Sequence, residues 1–244
     1  MSDGLWTVGF HAVLAVLESE QPVDALWLQQ DRRDQRAKKI IAAARRRGIR
    51  FDVVPRARLD RVADGVVHNG CAVRSAPIAF TALEDLVAAG DAPARIVVLD
   101  DVDDPHNLGA VIRTAAALAV DGVVIAGPSA PPLGGAVAKA AAGLLGRVPV
   151  ARVTVAADAL ARLRDHGYWV FGADAAGAPL TAVRTTNRWV LCLGAEGRGM
   201  RAKTKSQIDE FVAIPMAEGV ESLNLSVSAG ILLWELSREN DAGC

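Results

Sequence analysis

From residue 94 onward the chain alternates two textures. Short apolar runs rich in β-branched and aromatic residues occur at 96–99, 122–126, 148–153, 168–171, 189–193 and 211–214. Runs of this length without a polar break predict strands buried on both faces. Between them lie stretches of helical period. In 108–120, Leu108, Val111, Ile112, Ala115 and Ala119 share one face, and 136–145, 157–166 and 223–236 read the same way. Strands alternating with helices predict an α/β fold, a mainly parallel sheet with helices on both faces.

The first 75 residues predict a smaller α/β unit. Helices are expected at 12–17 and at 36–47, where Ala37, Ile40, Ile41 and Ala44 fall on one face and Gly48 is placed to cap the end. Strands are expected at 25–28 and at 49–54, the latter ended by Pro55. His68-Asn69-Gly70 is a turn signal before Cys71-Ala72-Val73. A short helix within 82–89 precedes Gly90-Asp91-Ala92-Pro93. The predicted organisation is therefore a small domain over 1–75, a connection over 76–93 and a larger domain over 94–244.

Composition changes this picture little. Hydrophobic residues make up 51% and charged residues 23% of 244, which describes a core-forming chain and excludes a disordered one. No stretch approaches 18 uncharged apolar residues, so no membrane span is expected. Cys71, Cys192 and Cys244 form no CxxC pair or even-numbered framework, which disfavours zinc and disulfides and points to a reducing cytosol.

Charge is more informative than its total of −1. Between Gln30 and Arg61 lie twelve bases and four acids, a local excess of +8. The run includes Arg45, Arg46 and Arg47. It is either a phosphate-binding surface for an anionic partner or a solvated helix face.

Three polar clusters fall at the C-terminal ends of predicted strands, where open α/β sheets bind ligands. The first, 100–115, is an acidic turn with Pro105 leading into a helix that carries Asn107 and Arg113. Asp104 or Asn107 is placed to cap that helix. Its aspartates and His106 alternate across a turn, which disfavours a metal site. The second, Gly194-Ala195-Glu196-Gly197-Arg198-Gly199-Met200, lets backbone approach a ligand closely. It matches neither GxGxxG nor GxxxxGK[ST], and it follows a late strand rather than the first, which disfavours a nucleotide-dependent oxidoreductase. Glu196 is either functional or a loop cap. The third cluster runs over 214–230 and gathers Ser222, Asn224, Ser226 and Ser228 at the start of an apolar helix, with Ser222 a candidate cap.

DPHNLGAVIRTA, GAEGRGM and IPMAEGVESLNLSVSAGI, in this order over about 94–239, resemble the three signature motifs of the SpoU (TrmH-like) RNA 2′-O-ribose methyltransferases of the SPOUT superfamily. Val8-Gly9-Phe10-His11-Ala12-Val13 and His68-Asn69-Gly70-Cys71-Ala72-Val73 are similar to the ribosomal-protein-like substrate-binding domain of the 23S rRNA guanosine-2′-O-methyltransferase (RlmB-like) branch. That branch usually has His-Gln-Gly where this chain has His68-Asn69-Gly70.

The resemblance implies S-adenosylmethionine as cofactor, RNA as partner, a homodimer, a C-terminal trefoil knot built from the 194–200 loop and the 214–226 segment, and no metal. It implies Asn107, Arg113, Glu196 and Asn224 as catalytic residues, with Glu196 orienting Arg113. It implies Gly194, Ile214, Met216, Ser222 and Leu223 around the cofactor, and Arg45, Arg46 and Arg47 on RNA. The C-terminal helix, with Ile231, Leu232, Leu233 and Trp234, is either the dimer interface or intrachain core. A tRNA guanosine-2′-O-methyltransferase shares all three motifs, and a non-catalytic RNA-binding factor shares the fold.

Overall fold

The computed structural model describes residues 5–18, 22–32, 34–63, 65–75, 79–87, 92, 94–220 and 222–241. Parts of the expected connection (76–78, 88–91 and 93), the end of the helix expected within 82–89, Arg33, Glu221 and Cys244 lie outside the described residues. The chain forms two compact units: Met1–Ala79 with Pro132–Arg147, and Phe80–Pro131 with Val148–Cys244.

In the first unit the order is β1 (Leu5–Val8), α1 (Phe10–Glu18), β2 (Val23–Gln29), α2 (Gln35–Arg46), β3 (Asp52–Val54), α3 (Arg56–Ala63) and β4 (Cys71–Ser75). The sheet order is β1-β4-β2-β3, antiparallel except for the β2–β3 pair. One side chain set, including Val13 and Leu17 from α1, Ile40 and Ala44 from α2, and Leu26 and Val73 from the sheet, forms its main core. A smaller cluster of Trp27, Leu59 and Ala72 lies with α3. Each large apolar side chain buried this way contributes about 1.5–3 kcal/mol.

The end of α2 explains one difference from the sequence reading. The Gly48 N–H donates to the Arg45 carbonyl and the Ile49 N–H to the Ala44 carbonyl, with Gly48 at φ +66. This closure uses Ile49 as part of the helix end. The expected strand at 49–54 is thereby confined to Asp52–Val54, paired in parallel with Trp27–Gln29. Neither β1 nor α3 was expected: β1 is a four-residue edge strand, and α3 buries only Leu59 and Ala63.

The chain continues with α4 (Leu83–Leu86), β5 (Ala94–Asp100), α5 (Pro105–Ala117), β6 (Gly122–Ala126), α6 (Gly135–Ala140, grouped with the first unit), β7 (Val150–Val153), α7 (Ala156–Asp165), β8 (Trp169–Pro179), β9 (Arg188–Gly194), α8 (Ala202–Lys205), β10 (Glu210–Ala213) and α9 (Leu225–Asp241). The six strands of the second unit lie in the order β10-β8-β9-β5-β6-β7, every neighbouring pair parallel. Ile96, Val97, Val98 and Leu99 of β5 are fully buried, as a strand covered on both faces requires. Among the described residues no helix is long and apolar enough to cross a membrane.

β8 is longer than the expected 168–171 run because it bulges. β10 pairs with Phe171 and Gly172, then skips to Ala178 and Pro179. The intervening residues leave the regular ladder at the C-terminal end of the sheet.

Candidate active site

The C-terminal ends of β5, β9 and β10 bring the three polar clusters together. Asp104 caps α5, its carboxylate accepting from the His106 and Asn107 N–H groups at 3.1 Å each, with Pro105 in the first turn. This rigid start buries Asn107 to 7% exposure. The helix is capped by Asp104, which leaves the Asn107 side chain available for another partner.

That partner is Asn224. Its Nδ2 donates to Asn107 Oδ1 at 2.9 Å and to Glu196 Oε1 at 2.8 Å. Its Oδ1 accepts from the Ser226 N–H at 3.0 Å, the Ser226 hydroxyl at 2.6 Å and the Val227 N–H at 3.4 Å. Asn224, and not the expected Ser222, therefore caps α9 with one end of its amide and joins α5 to the glycine loop with the other. Glu196 Oε1 also accepts from the Leu225 N–H at 2.9 Å. Glu196 Oε1 thus joins Asn224 to the start of α9, and among the described residues Glu196 makes no contact with Arg113, the residue the motif implies it orients.

Arg113 is exposed on α5 and makes no hydrogen bond or ion pair among the described residues. Six residues beyond Asn107, it points roughly 120° away from it around the helix. Its guanidinium is free for an external anion.

The glycine loop is fixed on both sides. A Cβ on Gly194 would lie 2.1 Å from the Gly199 carbonyl carbon and 2.2 Å from the Met200 nitrogen, so only glycine fits where the loop crosses itself. At the β5 end, Asp100 Oδ2 accepts from the Arg201 N–H at 2.9 Å, and Asp101 Oδ2 pairs with the Arg201 guanidinium at 2.6 Å. Arg198 adds contacts of 3.6 Å to Asp101 and 3.4 Å to Asp103. These acids, read from sequence only as a turn, hold the loop that carries Glu196.

A cavity of about 620 Å³ opens beside this network. Gly194, Glu196, Ile214, Met216, Ser222, Leu223 and Asn224 all line it. Asn107 reaches the cavity wall through Asn224, and Arg113 is not part of the lining. Asp174, in the β8 bulge, also lines it. The Lys205 ammonium at 2.7 Å and the Ala176 N–H hold its carboxyl below the usual carboxylate range. The sequence reading missed Asp174 because the apolar run stops at Phe171; Gly172 and Gly177, flanking a polar residue after a strand, were the available signal. Among the described residues no group of three or more His, Cys, Asp or Glu side chains could hold a metal ion.

The basic run is less uniform than its charge count. Arg45 and Arg46 are exposed, with Arg46 3.9 Å from Glu18. Arg47 instead donates to the Val16 carbonyl at 3.0 Å, tying α2 to α1.

Residues 94–234, which supply every member of this site, match the SpoU rRNA methylase family model. The chain belongs to the SpoU rRNA methylase family. Residues 6–80 match a second model, RNA 2′-O ribose methyltransferase substrate binding. Among curated SpoU-type relatives, the Escherichia coli 23S rRNA (guanosine-2′-O-)-methyltransferase RlmB is 37% identical over 236 residues, 95% of this chain and 97% of its own. Bacillus subtilis YacO, which carries a TrmH family tRNA/rRNA methyltransferase name, is 35% identical over 97% of this chain and 96% of its own. The same fold occurs in the AdoMet-bound rRNA methyltransferase of Sinorhizobium meliloti (TM-score 0.80, 23% identity, 96% of this chain and 87% of that one). It also occurs in the SpoU methyltransferase AviRb of Streptomyces viridochromogenes (TM-score 0.80, 22% identity, 98% and 91%).

Proposed function

We propose that this chain methylates a ribose 2′-hydroxyl of RNA using S-adenosylmethionine, with a guanosine of 23S rRNA as substrate. The observation that carries the reading is the Asn107–Asn224–Glu196 network at the wall of the 620 Å³ cavity, built from all three signature motifs. The cavity fits the cofactor: backbone of Gly194 can approach it closely, while Ile214, Met216 and Leu223 supply apolar walls and Ser222 a polar contact. When bound, the cofactor supplies an electrophilic methyl on a sulfonium.

This chain's own residues then position and stabilise. Asn107 Nδ2 has no partner among the described residues, because its Oδ1 alone is used by Asn224, so it is the donor left to orient the sugar. Asn224 and Glu196 hold that amide in place. Alignment of this kind supplies roughly 7–11 kcal/mol in favourable cases. Arg113 acts as a two-pronged donor to the neighbouring phosphate and the developing alkoxide. A guanidinium offers only N–H donors and no acceptor, so it is not the base.

The basic surface around Arg45 and Arg46 serves RNA phosphates. A second copy of this chain covers α9, whose Val227, Ile231 and Trp234 form an exposed stripe at i, i+4 and i+7 (49%, 39% and 56% exposed), whereas Leu232 and Leu233 belong to the core. The 194–200 loop and the 214–226 segment form the knot of the fold, and the work is done in the cytoplasm. The deciding experiment is mass spectrometry of ribose methylation in rRNA and tRNA from a deletion strain. Loss of one 2′-O-methylguanosine from 23S rRNA is expected; loss confined to tRNA moves the substrate, and no loss refutes the activity.

A further inference from the structure

The His68-Asn69-Gly70 turn, singled out in sequence, takes no part in the site above. It forms one wall of a separate cavity of about 440 Å³ contained within the first unit. We propose that this cavity takes one unpaired RNA nucleotide, its base edge read by Asp60 and Gln29 and its phosphate held by Arg56. The inference rests on the RNA reading above and extends it to a second subsite remote in sequence from the methyl-transfer residues.

The turn is rigid. His68 is 6% exposed; its Nδ1 accepts the Gly70 N–H at 2.9 Å, so Nε2 carries the proton and donates to Asp60 Oδ1 at 3.0 Å. The Arg32 guanidinium donates to the Asn69 carbonyl and to Asp34 Oδ2. A Cβ on Gly70, which sits at φ +66, would collide with Arg32. Both ring nitrogens of His68 are therefore engaged, and Arg32 is tied down through Nε and Nη1, so the two shape the walls.

The groups left to meet a ligand are different. Among the described residues Asp60 Oδ2 has only Arg56 Nε, at 3.7 Å. Arg56 is 74% exposed and Asp60 53%. The Gln29 side-chain amide has no partner among the described residues, although its backbone is fixed to Gly70 at 2.9 Å. A site for a bare anion would not place a carboxylate on its wall. A carboxylate, an amide and a guanidinium together match a nucleotide, whose base edge both donates and accepts while its phosphate is anionic. RNA offers such bases where they are unstacked, and an edge with adjacent N–H donors, as in guanine, suits Asp60.

The test separates base reading from simple charge. Single-turnover methylation and binding of in vitro transcribed 23S rRNA are measured for full-length Asp60→Asn, Gln29→Leu and Arg56→Ala, with Lys38→Ala as an exposed-charge control on α2. Removing an acid near RNA should tighten binding if only charge matters. The proposal expects the reverse: Asp60→Asn, which keeps an acceptor for His68, weakens RNA affinity about tenfold, as does Gln29→Leu, which changes no charge. The maximal rate at saturating RNA and the affinity for S-adenosylmethionine stay at wild-type values, which also confirms folding. Arg56→Ala should weaken binding more than Lys38→Ala. Tighter or unchanged RNA binding in Asp60→Asn and Gln29→Leu overturns the subsite while leaving the methyltransferase reading intact. A wild-type chain that methylates no RNA overturns that reading instead.

Discussion

Asn224→Asp separates the two jobs of one amide. Aspartate caps a helix as well as asparagine does, so the α9 contacts to Ser226 and Val227 persist. The other end is reversed: an oxygen replaces Nδ2, 2.8 Å from Glu196 Oε1 and 2.9 Å from Asn107 Oδ1. Two carboxylates at the 2.8 Å spacing repel by about 1.5 kcal/mol in a water-like dielectric and about 6 kcal/mol at an effective dielectric of 20. Asn224 is exposed, so the lower part of that range applies, about 2 kcal/mol. The variant should unfold at lower urea at pH 7.5 and lose roughly thirtyfold in single-turnover rate, since 1.4 kcal/mol is a factor of about ten. The repelling pair shares a proton at lower pH. Stability relative to wild type should therefore recover near pH 5, whereas Asn224→Ser, which also caps but carries no charge, should show a deficit independent of pH. A variant indistinguishable from wild type at both pH values refutes the bridging role.

Arg113→Ala should abolish most methyl transfer without lowering the melting temperature, because the side chain is exposed; Arg113→Lys should retain little activity if the planar fork matters, and full activity in Arg113→Ala would assign this arginine to the surface. Gly194→Ala should destabilise the chain and eliminate S-adenosylmethionine binding by calorimetry, since its Cβ meets backbone at 2.1 Å. Trp234→Glu should yield a monomer by light scattering while leaving the fold intact, given its 56% exposure. Asp174 titrates below its unfolded value, so its stabilisation by Lys205 is present above about pH 4 and lost as pH falls through the depressed value; Asp174→Asn should flatten that acid limb of the unfolding curve.

Local signals were legible where neighbours in sequence decide the structure. Pro105 after Asp104 announced the start of α5, and Gly48 announced the end of α2. The buried run of β5 needed only its lack of polar residues. Features decided by distant partners were not legible. β1 exists because Leu5–Val8 find Ala72–Ser75. Asn224 rather than Ser222 caps α9 because Asn107 and Glu196 fix its amide. Arg47 resembles its two exposed neighbours in sequence, yet a carbonyl of α1 takes its guanidinium. The motif resemblance located seven residues around one cavity, but their bonding partners came only from the geometry.

The bond between Asn107 and Asn224 spans 117 positions, and Glu196 lies between them in sequence. Such a closure contributes only after the intervening strands β6 to β10 have taken their places, because the loop entropy must be spent first. The network is therefore a product of the completed sheet and of no local stretch of sequence. Loss of α9 would leave every strand pair of the sheet in place but would uncover Ala229, Leu232, Leu233 and Leu236, which are buried in the core. A chain that ends before residue 224 should therefore lose stability as well as methyl transfer, whereas Asn224→Asp keeps these core contacts.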